Sequence, residues 1–266
     1  MPQNLRHAGG LFREIHNQLM GESIDFSLFD PSSFDPALLQ MARAVWQQRV
    51  QSEFRSIQIM ARFVTEVVAA GDPLEVYAGA VEFVADEVRH TALCAGMCEA
   101  LGAVAELPEP VEQKVSPGFS ASPAGARALN TAISMLLINE TISVGYIRDL
   151  HARSLQPTVH AVLSATLEDE EEHEQWGWAY VEKSLQRFPN STLADWRKLV
   201  QATLAPHRET AERIIADISL ERRGLDAWPD TSEVQLGMFS PQRQALVFEQ
   251  TYQTQLVPGL TRLRLL

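Results

Sequence analysis

Two short patterns would place a carboxylate and an imidazole on one helical face: Glu87-Val88-Arg89-His90 and Glu170-Glu171-Glu172-His173. Residues three apart on a helix stack on the same side, so each Glu-x-x-His offers an oxygen and a nitrogen ligand pointing one way. One such pattern carries little weight, because chance supplies it readily in a chain with 34 acidic residues and 7 His. Two further acids strengthen it. Glu53 lies in the apolar stripe of Trp46, Val50, Ile57 and Met60, and Glu140 shares a face with Ile133, Leu136, Leu137 and Ile147. An ionised carboxylate on an apolar face is costly unless something neutralises it. The spacing also repeats, with 34 residues from Glu53 to Glu87 and 30 from Glu140 to Glu170. Four carboxylates and two imidazoles suit a pair of Fe or Mn ions, one His per metal, with acids left over to bridge.

The elements that must position these residues read as long helices. Asp35-Pro36 opens the first, with an acid at the N-cap and Pro in the first turn, and nothing breaks it before Gly71. Gly71-Asp72-Pro73 is a stop and a restart, and Glu75 would complete a capping box with Asp72. Helices over about 36–70 and 73–101 therefore form an antiparallel hairpin. Residues 102–122, rich in Pro and Ser, predict a long irregular connection, and Ser122-Pro123 restarts a helix to about 153. After a break at Ser154–Pro157, a fourth helix runs to Phe188-Pro189-Asn190; amphipathic segments over about 193–220 and 241–257 follow. No stretch alternates like a strand. Two helical hairpins joined by one long crossover give an all-α fold, a four-helix bundle over 36–190 between a 1–35 extension and a 191–266 helical extension packed on it. In that arrangement Glu53 and His90 lie about 27 Å from the first hairpin turn, and Glu140 and Glu170 about 22 Å from the second, at 1.5 Å per residue. All six groups then meet at one level.

Glu53, Glu87-x-x-His90, Glu140 and Glu170-x-x-His173 together resemble the ligand set of the ferritin-like di-iron carboxylate proteins, over about 36–188. Asp86-Glu87-Val88-Arg89-His90 is similar to the D-E-x-R-H signature of methane monooxygenase hydroxylases and ribonucleotide reductase small subunits. The resemblance implies a ferritin-like fold holding two Fe (or Mn, or one of each), with Glu87 and Glu170 bridging and Glu53 and Glu140 terminal. It also implies that Asp86 orients His173 and Asp169 orients His90. Departures narrow it. Glu172 stands where an Arg would match Arg89, and Thr166 stands where p-aminobenzoate N-oxygenases have an extra His ligand. Cys94 occupies the place of the reductases' radical Tyr, as a Cys does in methane-type hydroxylases. No C-terminal CxxC pair marks a rubrerythrin.

Composition closes off other classes. Lys+Arg 22 against Asp+Glu 34 gives −12, which argues against a nucleic-acid binder or an anionic membrane surface. No apolar run reaches the ~18 residues of a spanning helix. The polar, interrupted N-terminus does not read as a signal peptide. Cys94 and Cys98 make neither a disulfide framework nor a zinc site, so the expected setting is a reduced cytoplasm. Apart from the named ligands, the acidic run Glu168–Glu174 reads mostly as a solvated face, and Thr91, Thr141 and Thr166 as packing or helix-backbone groups, with a part in oxygen activation as the alternative. Asp86, Arg89, Asp169, Cys94 and Thr166 are the candidates to support the ligands from behind. The expected function is an O2-dependent oxidation of a small or medium organic molecule: hydroxylation, N-oxygenation, desaturation or cleavage. The expected partners are O2, that substrate and an electron-donor protein, with a homodimer left open. The alternatives are a ferroxidase or iron-handling protein, and a metal-free helical interaction module.

Overall fold

The computed structural model describes residues 3–21 and 23–266, and all of its regular elements are helical. Among the described residues there is no strand, only an isolated bridge between Asn4 and Glu106. None of the described helices is long and apolar enough to cross a membrane. The chain divides into two compact units, one of residues 1–124 with 155–162 and the other of 125–154 with 163–266.

The first unit contains α1 (Gly10–Leu19), α2 (Pro36–Ala70), α3 (Leu74–Ala100) and the short α4 (Pro117–Ala121). Local chemistry sets the α2 ends. The Asp35 carboxylate accepts from Ala37 N at 2.8 Å and Leu38 N at 3.2 Å, and Pro36 sits in the first turn, where its missing N–H costs nothing. Gly71 ends the helix in the left-handed region (φ 71°), a conformation that glycine adopts freely. The restart differs from the expected capping box: Pro73, not Asp72, stands at the α3 N-cap, and no side chain caps it. α2 and α3 pack as a hairpin around Trp46, Val50, Met60, Phe63, Phe83 and Met97, each at most 1% exposed.

The connection after α3 is held along α2. Arg43 donates to Leu101 O at 2.7 Å, Gln47 exchanges bonds with the Glu106 backbone at 2.6 and 2.9 Å, and Gln58 donates to Val111 O. Farther on, the Arg62 guanidinium lies 5.0 Å over the Phe119 ring. The connection therefore tracks α2 from Arg43 to Arg62, about 28 Å at 1.5 Å per residue.

The second unit begins in α5 (Ala124–Thr131), which passes through a π-helical segment (Ala132–Asn139) into α6 (Glu140–Arg153). α7 (Pro157–Leu185), which belongs to this unit from Leu163 onward, α8 (Leu193–Ala216), α9 (Pro241–Thr251), a π-helical segment (Tyr252–Leu256) and α10 (Val257–Arg262) complete the helices. Two glycines permit close approach here. A Cβ at Gly145 would lie 2.3 Å from Thr251 Oγ1, and one at Gly177 would lie 2.3 Å from the Leu136 carbonyl oxygen. Arg243, 6% exposed, locks α9 to α6 by donating to both Asp149 oxygens at 2.9 and 2.7 Å. It also donates to Leu225 O at 2.8 Å and Trp228 O at 2.9 Å, so most of its guanidinium donors are engaged.

Candidate metal centre

Within the first unit, α2 and α3 bring Glu53, Glu87 and His90 together. His90 Nδ1 is 3.8 Å from Glu53 Oε2 and 3.9 Å from Glu87 Oε2; His90 is fully buried and Glu87 is 1% exposed. These separations exceed hydrogen-bond length, yet they suit two ligands that each stand about 2.0–2.2 Å from a shared ion. Thr91 returns its hydroxyl to Glu87 O at 2.8 Å, a helix-backbone bond. Asp86 pairs with Arg89 at 2.9 Å. Cys94 is buried and is not in a disulfide.

The second unit repeats the pattern. His173 Nδ1 lies 3.6 Å from Glu170 Oε2, with the two residues 1% and 3% exposed. Glu140, 5% exposed, opens α6 directly after the π-helical segment, among Leu136, Leu137, Ile138 and Ile142. π-Helical turns are rare and cluster at functional sites. Thr166 is buried, and Asp169 half-buried. The carboxylate of Glu171 turns to Arg148, at 2.8 Å.

Within the units the ligand atoms lie close: those of Glu53 and His90 come within 4.8 Å of each other in the first, as do those of Glu140 and His173 in the second. Each unit holds one imidazole and two carboxylates of the set named from the sequence: Glu53, Glu87 and His90 in the first, and Glu140, Glu170 and His173 in the second. These carboxylate and imidazole groups, buried except for the half-buried Glu53, could hold a metal ion. The donor set contains no thiolate, and burial pushes the Cys98 thiol up to about 11, with Glu99 adding to the shift. Oxygen and imidazole donors without sulfur suit Fe, Mn or Zn alike.

Sequence reasoning misread or missed three features. Glu174 is half-buried rather than part of a solvated face: burial raises its pKa, against hydrogen bonds from Thr141 and Trp178 and the charge of Arg148. Trp178 Nε1 also donates to Thr141 Oγ1 at 3.1 Å, and Thr141 donates to Leu137 O at 2.6 Å. Glu174 stands on the turn of His173, and only the apolar content of that helix face hinted at cover. Arg49 lies one turn before Glu53 with its guanidinium 4.4 Å over the Trp46 ring. Burial lowers its pKa, opposed by the charges of Cys94 and Glu53, so a cation borders the first-unit ligands. Its place in the stripe of Trp46 and Glu53 was the available signal. The third is Gly177, whose position no periodicity could have shown to be a point of contact. No family model, curated protein or solved structure matches the chain.

Proposed function

We propose that this chain is a non-haem di-iron oxidoreductase of the ferritin-like kind, which uses O2 to oxidise a small organic molecule. The observation that carries the reading is that each unit gathers one imidazole and two carboxylates, all of them buried except the half-buried Glu53. Glu53, Glu87, His90, Glu140, Glu170 and His173 would supply the ligands of two metals, one imidazole to each. Four carboxylate charges balance two divalent cations, so a loaded centre is neutral where a lone charge would be costly. Bound as iron(II), the pair would supply the electrons that reduce O2. The chain's residues fix that chemistry in place. The Glu-x-x-His pairs on single helical faces preset one oxygen and one nitrogen, and the apolar shell of Leu136, Leu137, Ile138 and Ile142 keeps water from Glu140.

The test is anaerobic reconstitution with Fe(II), followed by O2 and a pool of cell metabolites, with products read by mass spectrometry. About two irons per chain and an oxygenated or dehydrogenated product are expected. One zinc per chain held by cysteines would refute the metal assignment. O2 uptake that yields ferric iron and no organic product would turn the reading to iron handling.

A further inference from the structure

Against the α2–α3 hairpin lies a cavity of about 250 Å³ whose walls divide by chemistry. The helical wall is uncharged: Phe54 and Ile57 from α2, and Val88, Thr91 and Ala92 from α3. Ile57 stands one turn beyond Glu53 and Thr91 one turn beyond Glu87, so this wall continues the helix faces that carry two proposed ligands. The opposite wall is the N-terminal segment, and all the ionisable lining is there: Arg6, His7, Arg13 and His16. In a chain of net charge −12, Arg6 and Arg13 place two cations on this one wall.

That wall is anchored. Leu5 N donates to Ala105 O at 2.9 Å and Leu107 N to Gln3 O at 2.7 Å, fixing the strand-like start of the segment to the connection. His7 lies 3.7 Å from Glu99. Among the described residues neither Arg6 nor Arg13 has a carboxylate at ion-pair distance, and the buried Nδ1 of His16 has no hydrogen-bond partner. Two arginines without a carboxylate partner at one wall, and at the other an apolar surface whose one hydroxyl, on Thr91, is spent on Glu87 O, describe a ligand with an anionic head and an apolar body.

We propose that this cavity binds a small organic carboxylate, its head group on Arg6, Arg13 and His16 and its ring or chain along Ile57 and Thr91. A carboxylate matches the forked guanidinium donors that Arg supplies. An apolar cavity of about 150 Å³ holds benzene, so the space here admits one ring with a short acid side chain. This names a substrate class for the proposed di-iron centre. It rests on that reading for what becomes of the ligand, though not for its binding.

The experiment is calorimetric titration of the Fe(II)-loaded full chain under nitrogen with 3-phenylpropanoate and with its neutral amide, 3-phenylpropanamide. The carboxylate should bind at least about tenfold tighter, the worth of one charge-assisted hydrogen bond. The double variant Arg6→Gln/Arg13→Gln, changed at two exposed positions, should lose that preference while keeping its iron content and melting temperature. Ala92→Phe, which fills the helical wall, should abolish binding of both probes. Equal affinity for acid and amide, or a preference that survives the double variant, overturns the proposal. Two bound irons with no discrimination overturns the cavity assignment alone. Discrimination by a chain that takes up no iron supports the cavity and overturns the metal centre instead.

Discussion

Replacing Gly177 with alanine adds one methyl group at the place where α7 passes closest to the π-helical segment. That methyl carbon would lie 2.3 Å from the Leu136 carbonyl oxygen and 2.5 Å from the carbonyl carbon. Ordinary contact begins near 3.4 Å, and the obstacle is backbone, which has no rotamer to escape into. The helix must therefore retreat by about an ångström. Two free-energy terms oppose each other. Alanine is favoured over glycine in a helix by about 1 kcal/mol. Overpacking costs about 1–3 kcal/mol, and a rigid backbone neighbour puts this site at or above the upper end. The net loss is about 2 kcal/mol, a fall of about 4–8 °C in Tm for a chain of this size. Gly177 is one turn after His173, and Leu136 one turn before Glu140. The retreat thus separates two side chains whose ligand atoms lie within 4.8 Å. Thermal melts should show the loss without metal, and Fe(II) titration should show at least one site weakened. Gly118→Ala is the control, since nothing lies within 4 Å of its added methyl. A Gly177→Ala chain that melts higher than wild type, or that binds two irons with unchanged affinity, would refute the packing argument.

Three other outcomes are expected. Glu140→Leu should lose at least one metal yet melt at or above wild type when metal-free, because it replaces a carboxylate 5% exposed among apolar neighbours. With Fe(II) at 100 times Kd the wild-type Tm should rise by about 5–10 °C, from about 2.7 kcal/mol of linkage; the exposed Glu172→Ala variant should keep that rise and Glu140→Leu should not. At Asp149, burial raises the pKa but the hydrogen bonds and charges of Arg243 and Arg153 outweigh it and hold the carboxyl below 3.8. Its folded-state pKa being depressed, the stability it contributes is present above the unfolded value and lost as pH falls through the folded one. Asp149→Asn should therefore cost stability at pH 7, with the gap to wild type closing below about pH 4 in melts across pH. Cys98, fully buried with its thiol pushed up to about 11, should resist iodoacetamide at pH 8 in the native chain and react once urea unfolds it.

The sequence disclosed most where a residue's chemistry conflicts with its surroundings. A carboxylate in an apolar stripe is expensive wherever the chain folds, so Glu53 and Glu140 stood out without coordinates, and the Glu-x-x-His spacing supplied their companions. Helix ends were legible for a similar reason: Asp35-Pro36 and Gly71 each satisfy a local backbone demand that tertiary structure does not change. What stayed hidden depends on the distance between elements. Periodicity assigns Glu174 a helix face but does not say that Trp178 and Thr141 cover it. It assigns Gly177 to a helix interior, where glycine looks merely weak, and is silent on the carbonyl that excludes a side chain there. The π-helical segment before Glu140 leaves no mark in a run of apolar residues that any helix would accept. The N-terminal segment shows the same limit most plainly. Read alone, Leu5–His16 is a polar extension with scattered cations; held by backbone bonds to residues 105–107, it becomes the charged wall of a cavity beside the proposed ligands. The candidate ligands were thus marked by residue type, whereas the chemistry proposed for the substrate rests on which distant segment is tied against α2 and α3.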